Sequence, residues 1–322
     1  MEHSRLDLKL LGRFSVRRGG EEIPQAAFGG RLTRTLLRIL VTRRGTFASK
    51  DFLADALWPE RPPADPDGNL EILVSRARRA IGEASLILTG PRGYAFAPDD
   101  RCLVDAEEFT AWAEAGRNFL ESGQAVSALD ACREALLRWG GEPLPEDAYS
   151  DWASDFRQQV QRTYLAALEG AATAALAAGH PDEAVAYAER AVAREPLREA
   201  SHLLLIQALA VSGDQAGALM AFDKFRRQLE EELGIDPSPA ADELHVEILQ
   251  GRLSPASSPS SRFGGRAETG AALPPASTEI PFVGRKAELD VLLSVASSTT
   301  PGVVILKGPS GAGKSRLLAE VT

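Results

Sequence analysis

Apolar and polar positions alternate between residues 6 and 24. Leu6, Leu8 and Leu10, then Phe14 and Val16, sit between polar neighbours around Gly12, and Arg18-Gly19-Gly20-Glu21 supplies a turn. A period of two broken by glycines predicts a short antiparallel sheet. The period then lengthens. Over Arg31 to Thr42, Leu32, Leu36, Leu37, Leu40 and Val41 share a helical face, and Ser49 caps a second helix, Lys50 to Leu57, that stops before Pro59. Beyond the loop from Pro59 to Pro66, a third helix from about Asp67 to Ile81 buries Leu70, Leu73, Val74, Ala77 and Ile81. Its other side carries Glu71, Ser75, Arg76, Arg78 and Arg79. Leu86 to Thr89, the turn Gly90-Pro91-Arg92-Gly93, and Tyr94 to Phe96 read as a β-hairpin.

From Asp105 to Gln250 the pattern is helical throughout. Phe109, Trp112, Gly116 and Phe119 share one face, as do Ala125, Ala128, Leu129, Cys132 and Leu136. Gly179 and Gly213, Ala184 and Ala218, Ala188 and Phe222, and Ala191 and Phe225 are each 34 residues apart, the period of tetratricopeptide helix pairs. Core packing alone accounts for small and aromatic residues at these sites but not for their shared offset, so the segment reads as a stacked interaction scaffold. Residues 251–279 hold six Ser, five Ala, four Pro and four Gly, the composition of a linker. The fold class expected is mainly α: a winged helix-turn-helix with a small sheet and wing over 1–100, an all-α tetratricopeptide-like domain over 101–250, the linker, and an incomplete P-loop segment over 280–322.

Composition narrows the class. No apolar run nears the ~20 residues that span a bilayer, and the first residues lack a secretory signal, so a cytoplasmic protein is expected. Cys102 and Cys132 have no CxxC or histidine partner in sequence and read as core residues. His3, His180, His202 and His245 lack metal spacing and read as surface or packing residues. The net charge of −9 argues against nucleic acid until it is divided along the chain. Residues 1–100 net +3, residues 101–250 net −15 and residues 251–322 net +3, so only the head is expected to face phosphate, while the acidic middle suits basic protein surfaces.

Arg76, Arg78 and Arg79 on one helix, followed by a hairpin with Arg92 at its tip, supply both kinds of DNA contact: a helix fits the major groove, and arginine pairs with guanine or clamps phosphate. Arginines on one helix are commonly only a solvated face. The order sheet, three helices, hairpin is what favours DNA. Arg34 and Lys50, near helix starts, are further phosphate candidates.

The residues from Asn69 to Gly82, Asn-Leu-Glu-Ile-Leu-Val-Ser-Arg-Ala-Arg-Arg-Ala-Ile-Gly, followed by Gly93-Tyr94, resemble the recognition helix and wing of the OmpR/PhoB-type winged helix. Asp105-Ala-Glu-Glu-Phe109, Arg133 to Trp139, Glu195-Pro-Leu-Arg-Glu199 and Glu231 to Pro237 resemble the bacterial transcriptional activation domain. The tandem resembles the SARP/AfsR-like regulators. That resemblance implies an activator that binds promoter direct repeats as a dimer or in tandem, recruits RNA polymerase holoenzyme through its sigma factor and alpha subunit, and controls secondary-metabolite (antibiotic) genes. It implies no membrane partner and no cofactor for DNA binding. By position it gives base-facing roles to Glu71 and Arg76, phosphate or groove roles to Ser75, Arg78 and Arg79, and a wing contact to Arg92, with Asn69 a further DNA-binding residue. Ala77 stands where the family usually has leucine, implying a less tightly anchored helix, and Tyr94-Ala-Phe in place of Tyr-Arg-Leu removes a wing arginine.

Gly308-Pro-Ser-Gly-Ala-Gly-Lys-Ser315 matches the P-loop pattern after the apolar strand Val303 to Leu306. Gly308, Gly311 and Gly313 would cradle phosphates with backbone N–H groups, Lys314 would reach the β/γ-phosphates and Ser315 would hold Mg²⁺. Phe282-Val-Gly-Arg285 resembles the start of AAA/STAND ATPases. The sequence ends seven residues after Ser315, so no Walker B acid follows. No ATPase activity is expected of this chain, and ATP/Mg would bind only in a longer one. Two alternatives to a DNA-binding activator stay open on sequence: a P-loop signalling ATPase, and a scaffold whose winged helix binds protein.

Overall fold

The computed structural model describes residues 5–253; the linker beyond that point and the P-loop residues Gly308, Gly311, Gly313, Lys314 and Ser315 lie outside the described residues. A four-stranded sheet opens the chain. Strands β1 (Leu6–Lys9), β2 (Ser15–Arg18) and β3 (Glu21–Glu22) are antiparallel neighbours, as the alternation predicts. The fourth strand was not expected: β7 (Cys102–Val104) lies parallel to β1. The sequence pattern places the end of the head at residue 100, whereas β7 carries its sheet to Val104. A three-residue run is too short to show a period, and its partner is almost a hundred positions away.

Three helices follow: α1 (Arg31–Thr42), α2 (Lys50–Leu57) and α3 (Pro66–Ile81). Ser49 caps α2 by accepting from the Phe52 N–H at 3.1 Å, and Asp65 caps α3 by accepting from Gly68 at 2.9 Å. Strands β5 (Ile87–Gly90) and β6 (Gly93–Phe96) form the wing hairpin, with β4 (Ala48–Ser49) paired to β6.

Seven helices follow: α4 (Asp105–Glu121), α5 (Ala125–Arg138), α6 (Asp151–Ala177), α7 (Pro181–Arg194), α8 (Glu199–Ser212), α9 (Gln215–Leu233) and α10 (Pro239–Leu249). The 34-residue offset has a structural meaning. Gly179 and Gly213 adopt φ of 81° and 96° just past α6 and α8, a left-handed conformation that glycine accepts without strain. Ala184, Ala188 and Ala191 on α7 and their counterparts Ala218, Phe222 and Phe225 on α9 are all buried. His202 stacks on Phe225 at 4.1 Å and His245 on Phe222 at 4.2 Å, so both histidines serve packing. Both cysteines are buried, and burial pushes the Cys102 thiol up to about 12 and the Cys132 thiol up to about 11. Among the described residues no helix is long and apolar enough to cross a membrane.

Head and helical domain share one core. The cluster containing Leu8, Leu37, Leu73 and Phe96 of the head also contains Phe109 of α4, Ala135 of α5 and Val160 of α6. Polar contacts fasten the same seam. The Arg38 guanidinium, 1% exposed on α1, reaches Asp147 at 2.5 Å and Glu146 at 2.7 Å on the loop before α6. Asp147 is equally buried. Leu144 donates to the Leu10 carbonyl, Gly12 donates to that of Glu142, both at 2.9 Å, and a Cβ on Gly12 would lie 2.7 Å from the Gly140 oxygen. Arg44 reaches Glu107 on α4 at 2.6 Å.

Asp105, at the start of α4, accepts from the Leu10, Leu11 and Ala106 N–H groups at 2.7, 3.1 and 2.8 Å. Burial pushes its carboxyl up to about 6, against the downward pull of those donors. An unfolded aspartate titrates near about 3.9, so between about pH 4 and 6 the folded chain holds a proton that the unfolded chain has lost. The stability this group contributes is therefore present at low pH and lost as pH rises through 6. Between pH 4.5 and 7, urea unfolding should show wild type losing about 2 kcal/mol more stability than Asp105→Asn, which has no titrating proton. Parallel pH profiles for the two proteins would show that Asp105 titrates normally.

Candidate nucleic-acid interface

Helix α3 is held along its whole length with one face left free. At its start, Lys50 of α2 reaches Asp67 at 3.1 Å and Glu71 at 3.7 Å. The Asp67 carboxylate holds the Lys50 ammonium above its ordinary value, so it stays cationic. At its end, Gly82 adopts φ of 70° and Arg18 of β2 donates to the Ala80 carbonyl at 2.8 Å. This left-handed conformation favours glycine, and a side chain there would also displace the Arg18 guanidinium. Leu70, Leu73, Val74, Ala77 and Ile81 are buried as predicted. Ala77 is wholly buried, in a helix fastened at both ends.

The outward positions fall into three groups. Ser75, Arg76 and Arg79 are exposed, and the stem of Arg76 runs beside Gly29, where a Cβ would lie 3.5 Å from Arg76 Cδ. Glu71 is exposed but tied to Lys50. Asn69 and Arg78 differ from what the sequence suggests. The Asn69 amide donates to the Asp65 carbonyl at 2.7 Å, completing the first turn of its own helix. Arg78 donates to the Ile87 carbonyl at 3.1 and 2.5 Å and to Thr89 Oγ1 at 2.7 Å, all on β5. Its Nε and Nη2 donors brace the wing against α3, which favours a bracing role over the phosphate or groove contact that the resemblance implies. A solvent-facing arginine nine residues before a β-carbonyl gives no sequence signal of that bond.

The wing tip is Pro91-Arg92, with Gly90 opposite Gly93. The Lys50 N–H donates to the Arg92 carbonyl at 3.0 Å, fixing the tip beside the start of α2. At Gly93 a Cβ would collide with the Ala48 carbonyl, so only glycine lets β6 approach β4. Ala95, where the resemblance expects an arginine, is 1% exposed. Arg92 itself is exposed. Between the starts of α2 and α3 and the wing tip lies a cleft of about 770 Å³ lined by Phe47, Lys50, Asp67, Gly90 and Arg92. Arg34 is half-buried in the first turn of α1. Ser75, Arg76 and Arg79 are thus exposed on α3, and Lys50 and Arg92 line the cleft at its start.

The architecture is a winged helix joined to a helical-repeat domain, and comparisons with known proteins find relatives. Residues 104–249 match the bacterial transcriptional activator domain. Regulatory protein AfsR of Streptomyces coelicolor is 34% identical over 99% of this chain, which covers 32% of that protein. Transcriptional regulatory protein MoaR1 of Mycobacterium tuberculosis is 26% identical, over 76% of this chain and 79% of that one. The solved structure of Mycobacterium tuberculosis EmbR in complex with a low-affinity phosphopeptide is 29% identical, with a TM-score of 0.69 over 77% of this chain and 65% of that one. The chain is similar to the SARP/AfsR-like regulators. It spans about a third of the length of the AfsR proteins it matches.

Proposed function

We propose that this chain binds promoter DNA in a sequence-specific way and activates transcription. Helix α3 enters the major groove, Arg76 reads a base, Ser75 and Arg79 contact the groove or backbone, and Arg92 reaches the neighbouring minor groove or phosphates. Lys50 and Arg34 hold phosphates from the adjoining helix starts. The observation that carries the reading is the free face of α3, fixed at both ends and flanked by a braced wing. The acidic helical domain contacts the polymerase holoenzyme or a second protomer on a direct repeat, and the genes served are those of secondary metabolism. No cofactor enters the DNA step. The shared core and the Arg38 ion pairs favour a rigid relay, in which the orientation of α3 on DNA sets where the helical domain stands relative to the polymerase.

Arg78 acts in this scheme through the wing. Its charged hydrogen bonds contribute roughly 1.5–3 kcal/mol, so Arg78→Ala should lower stability to urea and weaken DNA binding by a similar factor on all sequences. The slope of log affinity against log salt should stay unchanged, because no phosphate contact is lost. A slope shallower by about one, with stability intact, would return Arg78 to the phosphates.

The function is tested by transcription in vitro from a promoter carrying the site this chain selects, using purified polymerase holoenzyme. Added protein should raise transcript yield and Arg76→Ala should not. Binding without a rise, or with a fall, would make the chain a repressor or a scaffold.

A further inference from the structure

Ile72 is 51% exposed at the middle of the free face of α3. Helical spacing places Gly68 one turn before it and Ser75 and Arg79 one and two turns after it, so it sits within the stripe that would face a groove. Glu71, held by Lys50, lies to one side of that stripe and Arg76, running beside Gly29, to the other. An isoleucine on this face does nothing for the core, which takes Leu70, Leu73 and Val74. It also makes no hydrogen bond. Every other long side chain on the stripe and its edges can bond a base edge or a phosphate. Phe47, another half-exposed apolar residue of the head, has a local role against Gly90 at the wing, where a Cβ would lie 2.6 Å from its ring.

The major-groove edge of DNA offers one apolar group, the C5-methyl of thymine. We infer that Ile72 is a specificity-determining residue that packs on a thymine methyl. Cytosine at that position would offer no methyl and would place its N4 amino donor beside a side chain that cannot accept, leaving a buried donor unpaired. Ile72 therefore selects by attraction to thymine and by penalty against cytosine, and Arg76 one turn on selects by hydrogen bonding. The inference rests on the major-groove placement of α3 proposed above.

The test separates the two. Wild type, Ile72→Ala and Ile72→Val are bound to the selected operator and to copies in which each thymine in turn is replaced by uracil, which removes only the methyl. For wild type, one uracil position per half-site should cost about fourfold, the equivalent of one buried methyl group. Ile72→Ala should bind that probe and the thymine operator equally while still preferring both to scrambled DNA, and Ile72→Val should fall between. A wild type that selects a sequence yet ignores every uracil replacement would overturn the Ile72 assignment alone, as would an Ile72→Ala that keeps the full uracil penalty. A wild type that prefers the operator to scrambled DNA by no margin would remove the major-groove reading and this inference together.

Discussion

Asp147→Ala should cost about 3 kcal/mol of unfolding free energy, far more than an ordinary loop substitution. Its carboxylate takes two hydrogen bonds from Arg38, at 2.5 and 3.1 Å, and both side chains are 1% exposed. Removing one partner leaves a buried guanidinium short of its counter-charge, which typically costs 3–5 kcal/mol. Glu146 still reaches Arg38 at 2.7 Å, and Thr35 Oγ1 still accepts at 3.1 Å, which places the loss at the lower end. The double variant Arg38→Met with Asp147→Leu removes both charges and should recover most of the loss, because neither desolvation penalty remains. Urea unfolding measures both. A loss below about 0.5 kcal/mol for Asp147→Ala, the range of a surface change, would mean that the seam between head and helical domain holds without this pair.

Arg76→Ala carries the second large effect. A good base contact is worth about 1–3 kcal/mol of discrimination, so affinity for the preferred site should fall roughly 5- to 150-fold and preference should relax at one position. Stability should barely change, because the side chain is exposed and runs beside Gly29 without bonding it. Equal losses on every sequence, measured by competition with scrambled DNA, would make Arg76 a phosphate contact instead.

What the sequence discloses and what it hides divide along a physical line. Local rules suffice for α1, α2 and α3 and for the wing. Their apolar faces, the Ser49 cap, the Gly82 stop and the Gly90 to Gly93 turn all act within a few residues, and each appears in the structure. The 34-residue offset survives as two equivalent helix pairs because stacking repeats the same buried positions, alanine on α7 and alanine or phenylalanine on α9. What stays hidden is long-range. Strand β7 shows itself only by pairing with β1, and Arg38 looks like one more helix-surface arginine until Asp147, 109 residues away, is folded over it. Within the candidate interface, positions on the free face of α3 are legible from periodicity, but not what each side chain touches. Arg78 turns to the wing carbonyl of Ile87 and Asn69 to its own helix. Ile72 is passed over because an apolar residue beside a buried stripe reads as part of it.

Sequence-selective binding is the claim on which the rest depends, and the direct measurement is sequencing of genomic fragments retained by this protein at physiological salt, beside an Arg76→Ala control. The account predicts an enriched direct-repeat motif that is weakened or lost in the control. Retention of DNA with no enriched motif would contradict it and reduce the head to an electrostatic anchor.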